Sequence, residues 1–406
     1  MKIGIFGGAF DPLHVRHVRI CEKVLTEYSL DKLIVVPSYN PPHKKLTFDN
    51  YFDRIKMLNT ALRFDERIEI SAIEYNDKGR NYSYETVKKI SEGYPEADLY
   101  FIIGGDSLEW FLTWKNPEII TATATLIVIR RPGIDTNSGV KRIKEKLNAR
   151  VLVSDLEEED ISSAYIRAVA AIGGDISAFI PKEILGIAEN LYKKSVYDDY
   201  IRFVKSVTSE ALFEHIKQTV LRAVKDNERF GLDGNSVFLS ALLHDVAKEI
   251  KFTTKRQDGL NTVLTADNDW FRKIKKYEDI SEYYEKLVNS EYAVPVSAVG
   301  TPVLHQFTGA RTAEIVLGIS DKGILDAICY HTTAKPKMSD LEMLTYLADK
   351  IEANRFYDGV DEIRELIKTS LSEAFKLCFK ISYNFVLSKK TAIYRLTEEA
   401  YLFYFS

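Results

Sequence analysis

Through the first 196 residues the apolar positions fall into short, nearly unbroken runs with amphipathic stretches between them. The runs are Lys2–Phe6, Lys32–Val36, Arg67–Ser71, Leu99–Ile103, Thr125–Ile129 and Arg150–Val153. Several hold almost only Ile, Val, Leu and Phe, the pattern of strands covered on both faces of a parallel sheet. Helical spacing predicts helices at His14–Tyr28, Tyr51–Phe64, Ser83–Gly93 and Ser163–Ile172. Ile180-Pro181-Lys182 and the apolar residues after it predict a closing helix with proline near its start. Alternation of this kind predicts an α/β doubly wound parallel sheet of Rossmann-like layout.

Near Ser195–Asp199 the period changes. Strand-like runs give way to helical spacing at Tyr200–Asp226, Asn235–Ile250, Thr308–Ile319, Ile324–His331, Asp340–Ala353 and Asp361–Leu387. The expectation is an α/β domain over 1–196 and an all-α helical domain over 197–406. Between them lies no internal repeat and no low-complexity linker.

Composition narrows the class without choosing a function. At roughly 150 residues per domain, 406 residues suit two or three domains. The 46% hydrophobic and 28% charged content is that of a globular chain. Net charge −4 and the lack of a basic stripe argue against a nucleic-acid partner. Three widely spaced cysteines make neither a disulfide framework nor a thiolate zinc site, as in a reducing cytoplasm. The first residues, reaching Gly-Gly and Asp-Pro early, do not read as a signal peptide, and no apolar run suggests a membrane span. Whether the chain forms a homo-oligomer is left open.

The candidate chemistry lies where histidines gather. The first strand leads into Gly7-Gly8-Ala9-Phe10-Asp11-Pro12-Leu13-His14-Val15-Arg16-His17 and then a helix. Glycines after a buried strand let backbone approach a phosphate, and the following helix start offers free N–H groups. His14 and His17, three residues apart, share one face and can serve one anion.

This stretch resembles the signature of the HxGH nucleotidyltransferases. Later motifs resemble the bacterial nicotinate-mononucleotide adenylyltransferases within that superfamily: Pro41-Pro42-His43-Lys44, Arg54 with Met57-Leu58, Asn81-Tyr82-Ser83 with Thr86, and Gly104-Gly105-Asp106-Ser107. Trp114, Arg131-Pro132-Gly133 and Ile161-Ser162-Ser163 with Ile166-Arg167 continue the series through residue 196. The resemblance implies ATP and nicotinate mononucleotide as substrates, with magnesium carried on ATP. It implies a phosphate turn at Gly7, Gly8 and Phe10, with His14 and His17 on the ATP phosphates. Ser162, Ser163 and Arg167 would close over these phosphates, and His43 and Lys44 would hold the mononucleotide phosphate. Trp114 would stack on the pyridine, and Tyr82 and Ser83 would lie near its carboxylate. Gly104, Asp106 and Arg131 complete the implied substrate set. Two departures stand out: Arg16 replaces the family's glycine, which permits close packing against adenine or ribose, and Ala164 replaces a hydroxyl residue. Arg16 would either point outward or take over part of a phosphate contact.

In the second part, His215, the pair His244-Asp245, His305, His331 and Asp349 are all nitrogen or oxygen ligand types. Asp245 follows an apolar run, where a charged pair is costly unless it is paired or bound to metal. Lys248 is one turn on, placed for a substrate phosphate. The pattern resembles the HD phosphohydrolase superfamily. His331-Thr332-Thr333 and Tyr346–Glu352 with Arg355 resemble its bacterial symmetrical diadenosine-tetraphosphate hydrolases. That resemblance implies two bound ions, with iron ranked ahead of manganese and zinc, and diadenosine tetraphosphate as substrate. About sixty residues separate Asp245 from His305, and Lys275–Tyr292 within them reads as an inserted helical hairpin.

The favoured expectation is a bifunctional enzyme. Its alternatives are a helical half that only binds a regulatory nucleotide or hydrolyses another one, and a first half that adenylates phosphopantetheine or nicotinamide mononucleotide.

Overall fold

The computed structural model describes residues 1–41, 50–75, 79–131, 135–156, 159–249, 252–257, 261–266, 292 and 294–406. The chain divides into two compact units, Met1–Lys194 and Ser195–Ser406.

In the first unit six strands form one parallel sheet: β1 (Lys2–Gly8), β2 (Lys32–Pro37), β3 (Ile68–Ile70), β4 (Asp98–Gly104), β5 (Ala124–Ile129) and β6 (Val151–Val153). Their order is β3-β2-β1-β4-β5-β6, so the winding reverses between β1 and β4. Every residue of β5 is buried, as a two-sided cover requires. Helices α1 (Val15–Glu27), α2 (Tyr51–Ala61), α3 (Ser83–Gly93), α4 (Ser107–Trp110), α5 (Pro117–Thr123), α6 (Thr136–Leu147), α7 (Ser163–Ala171) and α8 (Leu185–Tyr192) connect and follow the strands. Ligands of such sheets bind outside the carboxyl ends at the reversal point. Here that point lies between Gly7-Gly8 at the end of β1 and Gly104 at the end of β4.

Two details depart from the sequence expectation. The glycine pair is not the turn: β1 continues through both residues, pairing Gly7 with Val36 and Gly8 with Pro37. The sharp bend comes at Phe10, whose φ is 49°. Helices α4, α5 and α6 lie outside the expected helical stretches, although Asp135 caps α6 by accepting from the Ser138 N–H and its apolar side chains recur at Val140, Ile143 and Leu147. Four of the twelve residues of α6 are Lys or Arg, which dilutes that period.

The second unit is built of α9 (Asp198–Val207), α10 (Glu210–Phe230), α11 (Gly234–Leu243), α12 (Leu304–Ile315), α13 (Lys322–Tyr330), α14 (Asp340–Ile351), α15 (Val360–Leu366), α16 (Leu371–Ser388) and α17 (Arg395–Phe405). Polar side chains start the helices that matter most below: Ser209 caps α10, Asp233 caps α11, Asp321 caps α13, and Ser339 with Glu342 forms a capping box on α14. Gly231, at φ 64°, ends α10 in the left-handed conformation that glycine adopts without strain. An antiparallel pair, β7 (Phe252–Gln257) with β8 (Asn261–Ala266), corrects the expectation of a wholly helical domain. Thr253, Thr254, Thr262, Val263 and Thr265 are β-branched, and the stretch has no sustained helical period. The inserted hairpin expected at Lys275–Tyr292 lies, apart from Tyr292, outside the described residues. Among the described residues no helix is long and apolar enough to cross a membrane.

Because each unit carries its own apolar core, cutting between Lys194 and Ser195 is expected to yield two soluble fragments. Circular dichroism of the two should sum to that of the full chain. Aggregation of residues 1–194 alone would mean that the cores are shared.

Candidate functional site

At the carboxyl edge of the sheet, His14 caps α1 and His17 lies in its first turn. Their rings stack at 3.7 Å, and the His14 backbone N–H donates to His17 Nδ1 at 3.3 Å. Phe10 packs edge-on against Phe6 at 5.3 Å and His17 at 5.0 Å, fixing the outer ring. A Cβ on Gly8 would lie 3.1 Å from the Phe10 ring, whereas one on Gly7 would meet nothing within 4 Å. Gly8 therefore admits the phenyl ring, and Gly7 leaves open space. His14 Nδ1 is buried without a hydrogen-bond partner. Burial, then the Arg16 and Arg131 guanidinium groups, push the His14 imidazole down to about 3.

Asp11 organises the surrounding loops. Its buried Oδ1 accepts from Asn50 Nδ2 at 2.8 Å and from the Tyr192 hydroxyl at 2.5 Å, and Arg167 pairs with Oδ2 at 3.7 Å. Arg167 also donates to the Asp11 carbonyl, and Ser163 Oγ donates to the Pro12 carbonyl at 3.0 Å. Ser162 caps α7, accepting from the Tyr165 N–H at 3.1 Å. Arg54, fully buried, donates to the Ala9 and Ser38 carbonyls at 2.6 and 2.9 Å and to Asn50 Oδ1 at 3.1 Å. Asp106 accepts from Arg131 at 3.0 Å, and a Cβ on Gly104 would strike its Oδ1 at 2.4 Å.

Arg16 does not point outward into solvent. It is 9% exposed and donates to the Glu159 carbonyl at 2.7 Å and the Arg130 carbonyl at 3.0 Å, tying α1 to the chain after β5 and β6. Trp114 is half-buried against Phe111 at 5.2 Å and Phe101 at 6.4 Å. Tyr82 occupies the N-cap of α3, with Ser83 next. The expected phosphate ligands His43 and Lys44 lie outside the described residues.

In the second unit the six metal-ligand candidates come together as two triads, His215–His244–Asp349 and Asp245–His305–His331, each with its ligand atoms within 4.8 Å of one another. Asp245 joins them. Its Oδ2 lies 3.4 Å from His244 Nε2 and 3.7 Å from His215 Nε2, and its Oδ1 lies 3.3 and 3.5 Å from His305 and His331 Nε2. His215 Nε2 is 3.0 Å from Asp349 Oδ1.

The imidazoles are aimed by their other nitrogens. His244 and His331 directly follow α11 and α13, where helix carbonyls lack partners, and each Nδ1 engages the carbonyl three residues back, Ala241 at 2.7 Å and Ile328 at 2.8 Å. His305 does the same with Pro302 at 2.7 Å. His215 is inside α10, where carbonyls are used by the helix, and its Nδ1 meets Glu352 Oε1 at 3.3 Å instead. Every Nε2 thus faces the centre, the arrangement by which outer hydrogen bonds orient metal-binding histidines. Asp245 Oδ1 is buried without a hydrogen-bond partner, so the donor set fits a pair of divalent ions.

Burial works against the charge of Asp245, yet His244 and His331 hold its carboxyl well below the usual range. Asp349 is likewise lowered against burial, by Lys350 and His215. Burial and then His331 push His305 down to about 3.

Lys248, expected to wait for a phosphate, donates to Asp245 Oδ2 at 2.6 Å. Gln306 escaped the sequence reading, whereas Lys350 and Arg355 lie in the motif already singled out. Gln306, fully buried, accepts from the Thr332 and Thr333 N–H groups at 3.2 and 3.1 Å and so fixes the turn after His331. Arg355 donates to Asp349 Oδ1 at 2.8 Å, and Lys350 pairs with the same carboxylate. A glutamine next to His305 was a visible signal; a contact across 27 positions was not.

Residues 5–169 match the family model of cytidylyltransferase-like proteins. A Clostridium tetani protein named "Probable nicotinate-nucleotide adenylyltransferase" is 37% identical over 190 residues, spanning 46% of this chain and 95% of its own length. A Mycoplasma genitalium protein named "Probable nicotinate-nucleotide adenylyltransferase/Ap4A hydrolase" is 26% identical over 391 residues, 95% of this chain and 99% of its own. A crystal structure from Clostridium acetobutylicum, named "predicted HD superfamily hydrolase involved in NAD metabolism", is 26% identical, covers 52% of this chain and 97% of its own, and superposes with a TM-score of 0.40.

The His14 environment has a pH consequence. Above pH 6.5 the ring is neutral folded and unfolded, so it contributes no pH dependence. Between 6.5 and about 3 the unfolded chain binds a proton that the folded chain refuses, so stability falls as pH falls. Urea midpoints at pH 7 and pH 5.5 are expected to show the native chain losing about 1 kcal/mol more than His14→Gln over that interval.

Proposed function

Through its first half the chain belongs to the nicotinate-nucleotide adenylyltransferase family, and from that premise we propose a bifunctional enzyme. The first unit transfers AMP from ATP to nicotinate mononucleotide, releasing pyrophosphate. The second hydrolyses diadenosine tetraphosphate to ADP. The Mycoplasma genitalium relative, aligned over 95% of this chain, carries both activities in its name. The observation that carries the hydrolytic half is the carboxylate of Asp245, each oxygen of which faces its own pair of histidines.

Adenylyl transfer needs no protein nucleophile, because the acceptor phosphate attacks the α-phosphorus directly and the bond to pyrophosphate breaks. The protein's task is to position the phosphates and to offset charge developing on the leaving group. His14 and His17 take that role beside the space left by Gly7, with Gly8 and Phe10 shaping the turn. Ser162, Ser163 and Arg167 hold the α7 start beside the same loop through Asp11 and Pro12. Gly104, Asp106 and Arg131 border the site from β4, and Tyr82, Ser83 and Trp114 receive the pyridine. His43 and Lys44 belong to the acceptor phosphate, and magnesium arrives on ATP as part of the substrate.

In the second unit His215, His244 and Asp349 would hold one ion and His305 and His331 another, with Asp245 between them. Nitrogen and oxygen donors without sulfur suit iron, manganese or zinc alike, and the resemblance to the symmetrical diadenosine-tetraphosphate hydrolases ranks iron first. Such ions, when bound, supply an activated water and a clamp for phosphate oxygens. Lys248 and Arg355, half-exposed on the ligand carboxylates, present cationic charge to a polyphosphate. A cytoplasmic location accords with these substrates.

With ATP and magnesium the protein is expected to convert nicotinate mononucleotide much faster than nicotinamide mononucleotide. His17→Ala should slow turnover by about a hundredfold. Asp245→Ala should abolish conversion of diadenosine tetraphosphate to ADP and strip most bound metal in elemental analysis, leaving the transferase rate unchanged. Metal binding without nucleotide cleavage in the native chain would favour a regulatory second unit.

A further inference from the structure

Beside the expected pyridine site stands a cation that the reading above leaves unused. Lys115 follows Trp114, and its Nζ lies 4.1 Å from the centroid of the Tyr82 ring and 5.9 Å from that of Tyr84. Among the described residues no carboxylate pairs with it. Glu85 on α3 accepts from the Tyr84 hydroxyl at 2.8 Å.

The backbone on both sides of Lys115 is pinned. Trp114 is wedged against Phe101 and Phe111 in the main core, with its N–H on the Phe111 carbonyl at 3.1 Å. Asn116 adopts a left-handed conformation, φ 49°, and leads into Pro117 at the start of α5. The pinned backbone fixes where the exposed lysine stem starts, and the aromatic faces orient its ammonium without neutralising it.

We propose that Lys115 is the specificity-determining residue for the acid form of the pyridine mononucleotide. Its ammonium, carried over Tyr82, meets the ring carboxylate that distinguishes nicotinate from nicotinamide. The neutral amide offers no charge for it to balance. The inference rests on the acceptor assignment proposed above, and it adds the physical basis of the discrimination.

The test measures kcat/KM for nicotinate and nicotinamide mononucleotides, each with ATP and magnesium, in the native chain, Lys115→Met and Lys115→Arg. Lys115→Met is expected to lower kcat/KM for nicotinate mononucleotide about tenfold, mainly through KM, and to leave the slow nicotinamide rate within twofold. Lys115→Arg, which keeps the charge, should restore most of the preference. If Lys115→Met lowers both acceptors equally, the lysine only braces the Trp114 segment and the proposal is wrong. Unchanged preference overturns it as well. In the native chain, raising ionic strength should increase KM for the acid form more than for the amide, and equal increases would count against the charge. A native chain that prefers neither acceptor would instead overturn the acceptor assignment itself.

Discussion

Asp245 is fully buried on the polypeptide that follows α11, where Lys248 pairs with its Oδ2 and its Oδ1, without a hydrogen-bond partner, faces His305 and His331. An unpaired carboxylate in such a place costs several kcal/mol. Lys248 from its own turn offsets that cost directly, and His215 of α10, His305 of α12 and His331 at the end of α13 bring their Nε2 atoms to face the same carboxylate. The packing of the helical unit and its candidate metal centre are therefore one problem with one solution. Apolar contacts alone would let the helices slide; a buried carboxylate ringed by directed imidazoles marks where four of them converge.

The first unit solves a smaller version of the same problem with Asp11. Its carboxylate gathers Asn50 ahead of α2, Arg167 of α7 and Tyr192 of α8 around the loop that leaves β1. Buried Arg54 closes the other side by binding the Ala9 carbonyl of that loop and the Ser38 carbonyl after β2. Neither residue needs to touch a substrate to matter. Together they hold Phe10 in its bend, Phe10 holds His17, and the stacked histidine pair keeps its orientation beside Gly7. Arg16 extends the bracing to the chain after β5 and β6, a job that a glycine at that position could not do.

The orientation of the metal-facing histidines illustrates how little extra machinery is required. Three of the four use a carbonyl three residues earlier, in the regions where a helix or turn leaves acceptors free. The fourth, within α10, borrows Glu352 from the loop after α14. Lys115 shows the same economy in the first unit, since the segment that seats Trp114 in the core also fixes the cation beside it.

Much of this was written in local sequence. Unbroken apolar runs announced buried parallel strands, and glycine pairs with nearby histidines marked the carboxyl edge of the first sheet. The apolar run ahead of His244-Asp245 marked a charged pair in a buried setting. These features are legible because the physics behind them acts within a few residues. Other features depend on atoms far apart in the chain. The bend at Phe10 rather than at the glycines, the turn of Arg16 toward Glu159 and Arg130, and the grip of Gln306 on Thr332 and Thr333 belong to this second kind. So does the division of six ligands into two triads around the separate oxygens of Asp245. Residue types and spacing determined which chemistry was available. Only the tertiary structure decided which atom faces which, because directed hydrogen bonds and buried charges are satisfied in space and not along the sequence.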